Sequence, residues 1–135
     1  MTLSAVATLD RWTPHQKLLW RQNGALPLSR DTSVSPLSLG IELLDDLENN
    51  TENLNILAAA SQIECPWLIM HGAADVTVSP REAERLYERA KTGSATLKIL
   101  DHVGHLYNAA SPADDGYSIL DGVVRIAGEW LMHHS

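Results

Sequence analysis

Phenylalanine is absent from the 135 residues, cysteine occurs once, and Lys plus Arg number only 10 against 17 Asp plus Glu. Each shortage excludes something. The single Cys65 cannot form an internal disulfide, so nothing calls for an oxidising compartment. A formal charge of -7 argues against nucleic acid or an anionic membrane as partner, because phosphate-rich surfaces are bound by clustered Lys and Arg that release counterions. No apolar run approaches the roughly 18 residues of a membrane helix. The first basic residue, Arg11, follows the weakly apolar start instead of preceding it, so neither an anchor nor a signal peptide is read. With 44% apolar and 20% charged residues, the expectation is one soluble, cytoplasmic globular domain without repeats or low-complexity tracts.

What is present is clear helix punctuation. Thr13-Pro14-His15-Gln16 supplies a capping hydroxyl, a proline at the first helical position and a Gln at the third, and Gly24 after Leu18, Leu19 and Trp20 is the matching stop. Gly24 to Ser35 mixes Gly, Pro, Ser, Arg and Asp without periodicity and reads as a loop. Ser35-Pro36 restarts a helix with Leu37, Ile41, Leu44 and Leu47 on one face, and Glu42, Asp45, Asp46 and Glu48 on the solvated sides. A shorter helix is expected from about Asn53 to Ser61, with Leu54, Leu57 and Ala58 inward.

The character changes at Cys65-Pro66. Trp67, Leu68, Ile69 and Met70 form an unbroken apolar run, the pattern of a strand buried on both faces of a parallel sheet, and it ends in His71-Gly72. Ser79-Pro80-Arg81-Glu82 reads as a capping box opening an amphipathic helix. Ala83, Leu86, Tyr87 and Ala90 recur along it, Glu82 is set to pair with Arg85 and Glu88 with Lys91, and Gly93 stops it. Thr96 to Leu100 is a second strand, followed by the loop Asp101-His102-Val103-Gly104-His105. A last helix starts near Ser118 and carries Leu120, Val123, Val124, Ala127 and Leu131 on one side.

Strand, helix, strand, loop, helix is the grammar of an α/β fold with a short parallel sheet and flanking helices, in which ligands sit beyond the carboxyl ends of the strands. Asp75 lies just past the first strand and His105 just past the second. Neighbouring strands are about 5 Å apart, so these two side chains can meet through a hydrogen bond. Such a pair is the orienting half of a nucleophilic triad: the carboxylate fixes the imidazole tautomer and leaves the other ring nitrogen to take a proton.

From Pro66 to His105 the chain resembles the C-terminal end of an α/β hydrolase: an apolar strand, His-Gly-x-x-Asp-x-x-Val, Ser-Pro opening a helix, a second strand and Gly-His. Upstream, Leu9-Asp10-Arg11-Trp12, the Trp20 helix and Asp45-Asp46-Leu47-Glu48 are similar to the intervening segment of dienelactone-hydrolase-like and acylaminoacyl-peptidase-like members. The resemblance implies that Asp75 is the triad acid and His105 the general base of a serine hydrolase. Its substrate would be a small-molecule carboxylic ester or a peptide or acyl-amide bond, and no cofactor would be needed.

The family's nucleophile stands on a Gly-x-Ser-x-Gly elbow upstream of both residues, and the chain has none. The nearest match, Gly116-Tyr117-Ser118-Ile119-Leu120, lacks the last glycine and follows the histidine, and Ser118 with Asp121 reads as a helix cap. At about 30 residues per strand and helix, an eight-stranded sheet needs roughly 240 residues. The expectation is therefore the C-terminal part of an α/β-hydrolase fold, without its N-terminal strands and elbow and inactive alone. Residues 1–62 would form a lid-like or intervening helical segment, and 63–135 the unit carrying acid and base. An open sheet edge would favour self-association. The alternative from another class is a small α/β module that binds a ligand or partner without catalysis.

The other reactive side chains have plainer readings. Asp101, His102 and His105 could be read as metal ligands, but a complete ligand set around the His102-x-x-His105 spacing is not evident, and His102 reads as a neighbour of the base. His71 ends a buried strand and reads as a satisfied structural histidine. His133 and His134 sit at a fraying end. Cys65 precedes its strand, away from the catalytic edge, and reads as a small packed thiol. Trp12 and Trp20 are either helix-packing residues or part of a lid over an acyl pocket, and Arg11 and Arg30 could bind a substrate carboxylate but read by default as surface cations.

Overall fold

The computed structural model describes residues 1–28, 37–107 and 115–134, with side chains in the last segment from residue 119 onward. In chain order the elements are β1 (Thr2–Leu3), α1 (Pro14–Asn23), β2 (Ala25–Pro27), β3 (Ser38–Gly40), α2 (Ile41–Asn49), α3 (Ile56–Ala60), β4 (Trp67–Gly72), α4 (Pro80–Arg89), β5 (Ala95–Leu100) and α5 (Asp115–His134). They form two compact units, one of Met1–Ala7 with Ile56–Ser135 and the other of Thr8–Asn55.

The first unit is built on a parallel sheet of order β1-β4-β5. Central β4 is buried along its whole length because both its faces are covered. Trp67 and Ile69 pack with Ala7, Ala60, Ala83 and Leu86 on one side, while Leu68 and Met70 pack with Val103, Tyr107, Val123 and Ala127 on the other. The two-residue side-chain period of a strand thus distributes the continuous apolar run between helices α3 and α4 on one face and α5 on the other. Each such side chain contributes about 1.5–3 kcal/mol by leaving water. The α/β class and the parallel sheet with flanking helices are as the sequence predicts. Strand β1, only Thr2 and Leu3 paired with Ile69 and Met70, has no signal in the sequence.

Several local expectations change in this unit. Ser79 caps α4 by accepting from the Arg81 amide, but the capping box is not closed: Glu82 Oε2 accepts instead from the Ala7 amide at 2.8 Å, tying α4 to the chain after β1. Glu82 does pair with Arg85, whereas Lys91 bonds Glu64 at 2.6 Å rather than Glu88. Tyr87 lies on the exposed side of α4. In α5, which begins at Asp115 so that Ser118 lies in its first turn rather than at its cap, Val124 and Leu131 are exposed and the inward face runs through Val123 and Ala127. Cys65 is exposed, not packed, because β4 starts only at Trp67.

In the second unit Thr13 closes the expected capping box with Gln16, and Gly24 ends α1 at φ 70°, a left-handed conformation that glycine adopts without a Cβ penalty. The segment after it is not all loop: β2 pairs antiparallel with β3, from Ala25 opposite Gly40 to Pro27 opposite Ser38. The expected helix at Ser35-Pro36, two residues outside the described ones, therefore starts later. Residues 38–40 are extended, α2 begins at Ile41, and Leu37 is exposed while Leu44 and Leu47 are buried. Trp20 is fully buried, with Trp12 edge-on to it at 5.2 Å between ring centres, the arrangement of packing residues. Arg21 bridges α1 to α2 through Asp45 and Glu48. Arg30 lies outside the described residues. α3 is shorter than expected, with Ala60 its buried residue.

Candidate active site

The site is made by two loops leaving the carboxyl ends of neighbouring strands β4 and β5. Their backbones are bonded to each other: Ala73 N–H donates to Leu100 O at 2.8 Å and Ala74 N–H to Val103 O at 3.0 Å. The second loop passes so close above Gly72 that a Cβ there would stand 2.1 Å from the Val103 carbonyl oxygen. Only a residue without a side chain permits this approach, which gives the Gly of His-Gly-x-x-Asp its physical meaning.

Asp75 is buried, and its carboxylate is saturated with donors. Oδ1 accepts the amides of Thr77 at 2.9 Å and Val78 at 2.8 Å, while Oδ2 stands 2.9 Å from His105 Nδ1 and 3.2 Å from His71 Nε2. Burial by itself pushes the carboxyl upward, but the Val78 amide, His105 and the Thr77 amide outweigh it and hold Asp75 at about 2, against an ordinary 3.8. The ionised carboxylate can only accept, so His105 must carry a hydrogen on Nδ1, and in the neutral ring Nε2 is then the bare nitrogen. The His105 side chain is 34% exposed, so that nitrogen belongs to an imidazole open to a reactant.

The depressed value makes Asp75 a source of acid sensitivity. A carboxyl whose folded value lies below its unfolded one stabilises the fold fully above the unfolded 3.8, and the effect is lost as the pH falls through about 2. The shift corresponds to about 2 kcal/mol at neutral pH. Urea unfolding of native chain and Asp75→Asn should therefore show a stability gap at pH 7 that narrows by about that amount at pH 2. An equal gap at both pH values would contradict the donor-saturated carboxylate.

The histidine loop has its own anchor. Tyr107 is buried, and its hydroxyl donates to Met70 O at 3.1 Å while Ser4 Oγ lies 3.3 Å from it. Burial and the nearby Asp75 charge push the phenol above its ordinary range against the pull of Ser4. Tyr107 has φ 52° and His102 φ 60°, backbone conformations that L residues adopt only where surrounding contacts hold them. Here the Tyr107 amide also bonds Gly104 O, so the turn carrying His105 is pinned to the end of β4.

Of the residues singled out in the sequence, Asp75 and His105 are brought together, whereas Asp101 and His102 are exposed. Among the described residues no group of three or more His, Cys, Asp or Glu side chains is arranged for a metal. The Ser118 side chain lies outside the described ones. His71 is the residue whose part sequence reasoning missed. It is fully buried as expected, but only half satisfied: Nε2 faces Val78 O at 2.9 Å as well as Asp75, while Nδ1 has no partner among the described residues.

Residues 40–108 match the family model described as serine aminopeptidase, S33. Among solved structures, the monoacylglycerol lipase of Paleococcus ferrophilus is 22% identical and superposes with a TM-score of 0.57, the match covering 97% of this chain and 56% of that one. An esterase domain from a Rhodothermus marinus protein is 21% identical, with a TM-score of 0.48 over 85% of this chain and 44% of that one. The chain thus spans about half the length of these two proteins. No curated protein matches it. No helix among the described residues is long and apolar enough to cross a membrane. The sheet edge with its two bonded loops, together with a family match over residues 40–108, identifies the chain as a member of the serine aminopeptidase S33 family of α/β hydrolases.

Proposed function

We propose that this chain supplies the acid and base of a serine hydrolase that cleaves carboxylic esters, with Asp75 as the triad acid and His105 as the general base. The observation that carries the proposal is the 2.9 Å contact between Asp75 Oδ2 and His105 Nδ1 at the carboxyl ends of adjacent parallel strands. A serine hydroxyl delivered to His105 Nε2 would lose its proton there as its oxygen attacks the ester carbonyl. The imidazolium so formed is stabilised by the ionised Asp75 and returns the proton to the departing alkoxide. Water then repeats the sequence on the acyl enzyme. The name of the first neighbour, a monoacylglycerol lipase, supports an ester substrate. The family name points also to amide bonds, for which the same base must protonate a poorer leaving group. The finer likeness to dienelactone-hydrolase-like or acylaminoacyl-peptidase-like members belongs to this same proposal and rests on the sequence alone.

No Gly-x-Ser-x-Gly occurs in the 135 residues, so the serine in this scheme comes from another segment and the chain by itself is inactive. The test is hydrolysis of a short-chain p-nitrophenyl ester by the purified chain and by a fusion that joins its amino end to a family segment ending in strand, Gly-x-Ser-x-Gly and helix. Turnover by the fusion that depends on His105, with none by the chain alone, is the expected result. Turnover by the chain alone that vanishes in His105→Ala would overturn the division between the two segments, and fusion turnover indifferent to His105 would overturn its role as base.

A further inference from the structure

We propose that His71 is a positioning residue for the Asp75–His105 pair: its Nε2–H clamps both ends of the Asp75–Val78 turn to the rigid end of β4, so that Oδ2 is aimed at His105. The proposal rests on the hydrolase reading for its purpose, but its geometry stands independently. Nε2 lies 2.9 Å from the Val78 carbonyl and 3.2 Å from Asp75 Oδ2. Both are acceptors, so the nitrogen between them must carry the hydrogen and share it. The same turn is closed from its other side by the Thr77 and Val78 amides on Oδ1. With Oδ1 held by the turn's own backbone and Oδ2 by a strand residue, the carboxylate can neither rotate nor retreat without breaking bonds at both oxygens.

His71 suits this task because it does not move with the loop. It is the fifth residue of β4, paired with Ile99 of β5, and its side chain is fully buried. A purely space-filling role predicts an aliphatic side chain, like its neighbours Ile69 and Met70. The imidazole instead leaves Nδ1 buried without a partner among the described residues. That arrangement costs free energy which an apolar residue would avoid, so the hydrogen bonds made by Nε2 are what the position retains.

The test uses the whole chain and needs no turnover. In ¹⁵N-labelled protein, two-bond proton–nitrogen spectra report the tautomer of each histidine. Native His71 is expected as Nε2–H and native His105 as Nδ1–H with a low-field hydrogen-bonded proton. His71→Phe removes the donor at similar shape and should abolish the low-field His105 signal and mix its tautomers. His71→Gln, whose amide nitrogen reaches a similar point, should restore both. A folded His71→Phe with the native His105 signal overturns the proposal. So does a native His71 found as Nδ1–H, which decides the matter even where His71→Phe does not fold. Failure of the hydrolase reading is distinguishable, since it would leave these spectra as described while the fusion lacked His105-dependent turnover.

Discussion

In the fusion that supplies a serine, His105→Ala is expected to lower ester kcat by about 10⁴-fold or more, because the part-exposed imidazole that Asp75 orients is gone. Asp75→Asn should be nearly as damaging for a reason the hydrogen bonds dictate. The Thr77 and Val78 amides both point at Oδ1, so the Asn carbonyl must occupy that position and its NH₂ must replace Oδ2. An N–H then faces His105, which can accept it only on a bare Nδ1. The hydrogen moves to Nε2, the nitrogen that has to take the serine proton, and the base is switched off with its position unchanged. Both losses are read from initial rates with a p-nitrophenyl ester. A loss below about tenfold in either variant would mean that the pair does not perform the proton transfer.

Gly72→Ala has the second largest expected effect, and it acts on the backbone. The added methyl would stand 2.1 Å from Val103 O and 2.7 Å from its carbonyl carbon, neither of which can swing aside as a flexible side chain does. Relief requires the 101–107 loop to lift, breaking the Ala74 bond to Val103 O and carrying His105 from Asp75. Destabilisation of about 2–3 kcal/mol is expected from urea unfolding, in the upper range for overpacked sites. In the fusion, a displacement on the order of 1 Å should cost about 10²-fold in turnover. A native unfolding midpoint together with native turnover would show that the loop does not depend on this close approach.

The strand ends that bring Asp75 and His105 together were legible in the sequence because strong local signals mark them. An apolar run in Trp67–Met70 demands a strand covered on both faces, and Ser79-Pro80 demands a helix start, which together place Asp75 beyond a strand end. Elements decided by distant partners were not legible. Thr2 and Leu3 become a strand only because β4 offers an edge, and the hairpin of β2 and β3 is hidden by Gly, Pro and Ser that locally favour loop. Glu82 has the spacing of a capping box, yet the Ala7 amide, 75 residues away in sequence, competes for it. The part played by His71 was hidden for the same reason. A histidine at the end of a buried strand says nothing by itself of the turn that folds back over it, and both acceptors at Nε2 come from that turn.

Whether Asp75 and His105 act as acid and base is decided most directly by which nitrogen of His105 carries the hydrogen. In the ¹⁵N-labelled 135-residue chain near pH 8, long-range proton–nitrogen spectra should show His105 as the Nδ1–H tautomer with Nε2 bare, and Asp75→Asn should reverse that assignment. A His105 found as Nε2–H in the native chain, or one whose tautomer ignores Asp75→Asn, would contradict the claim that these two side chains form the acid and base of a hydrolase.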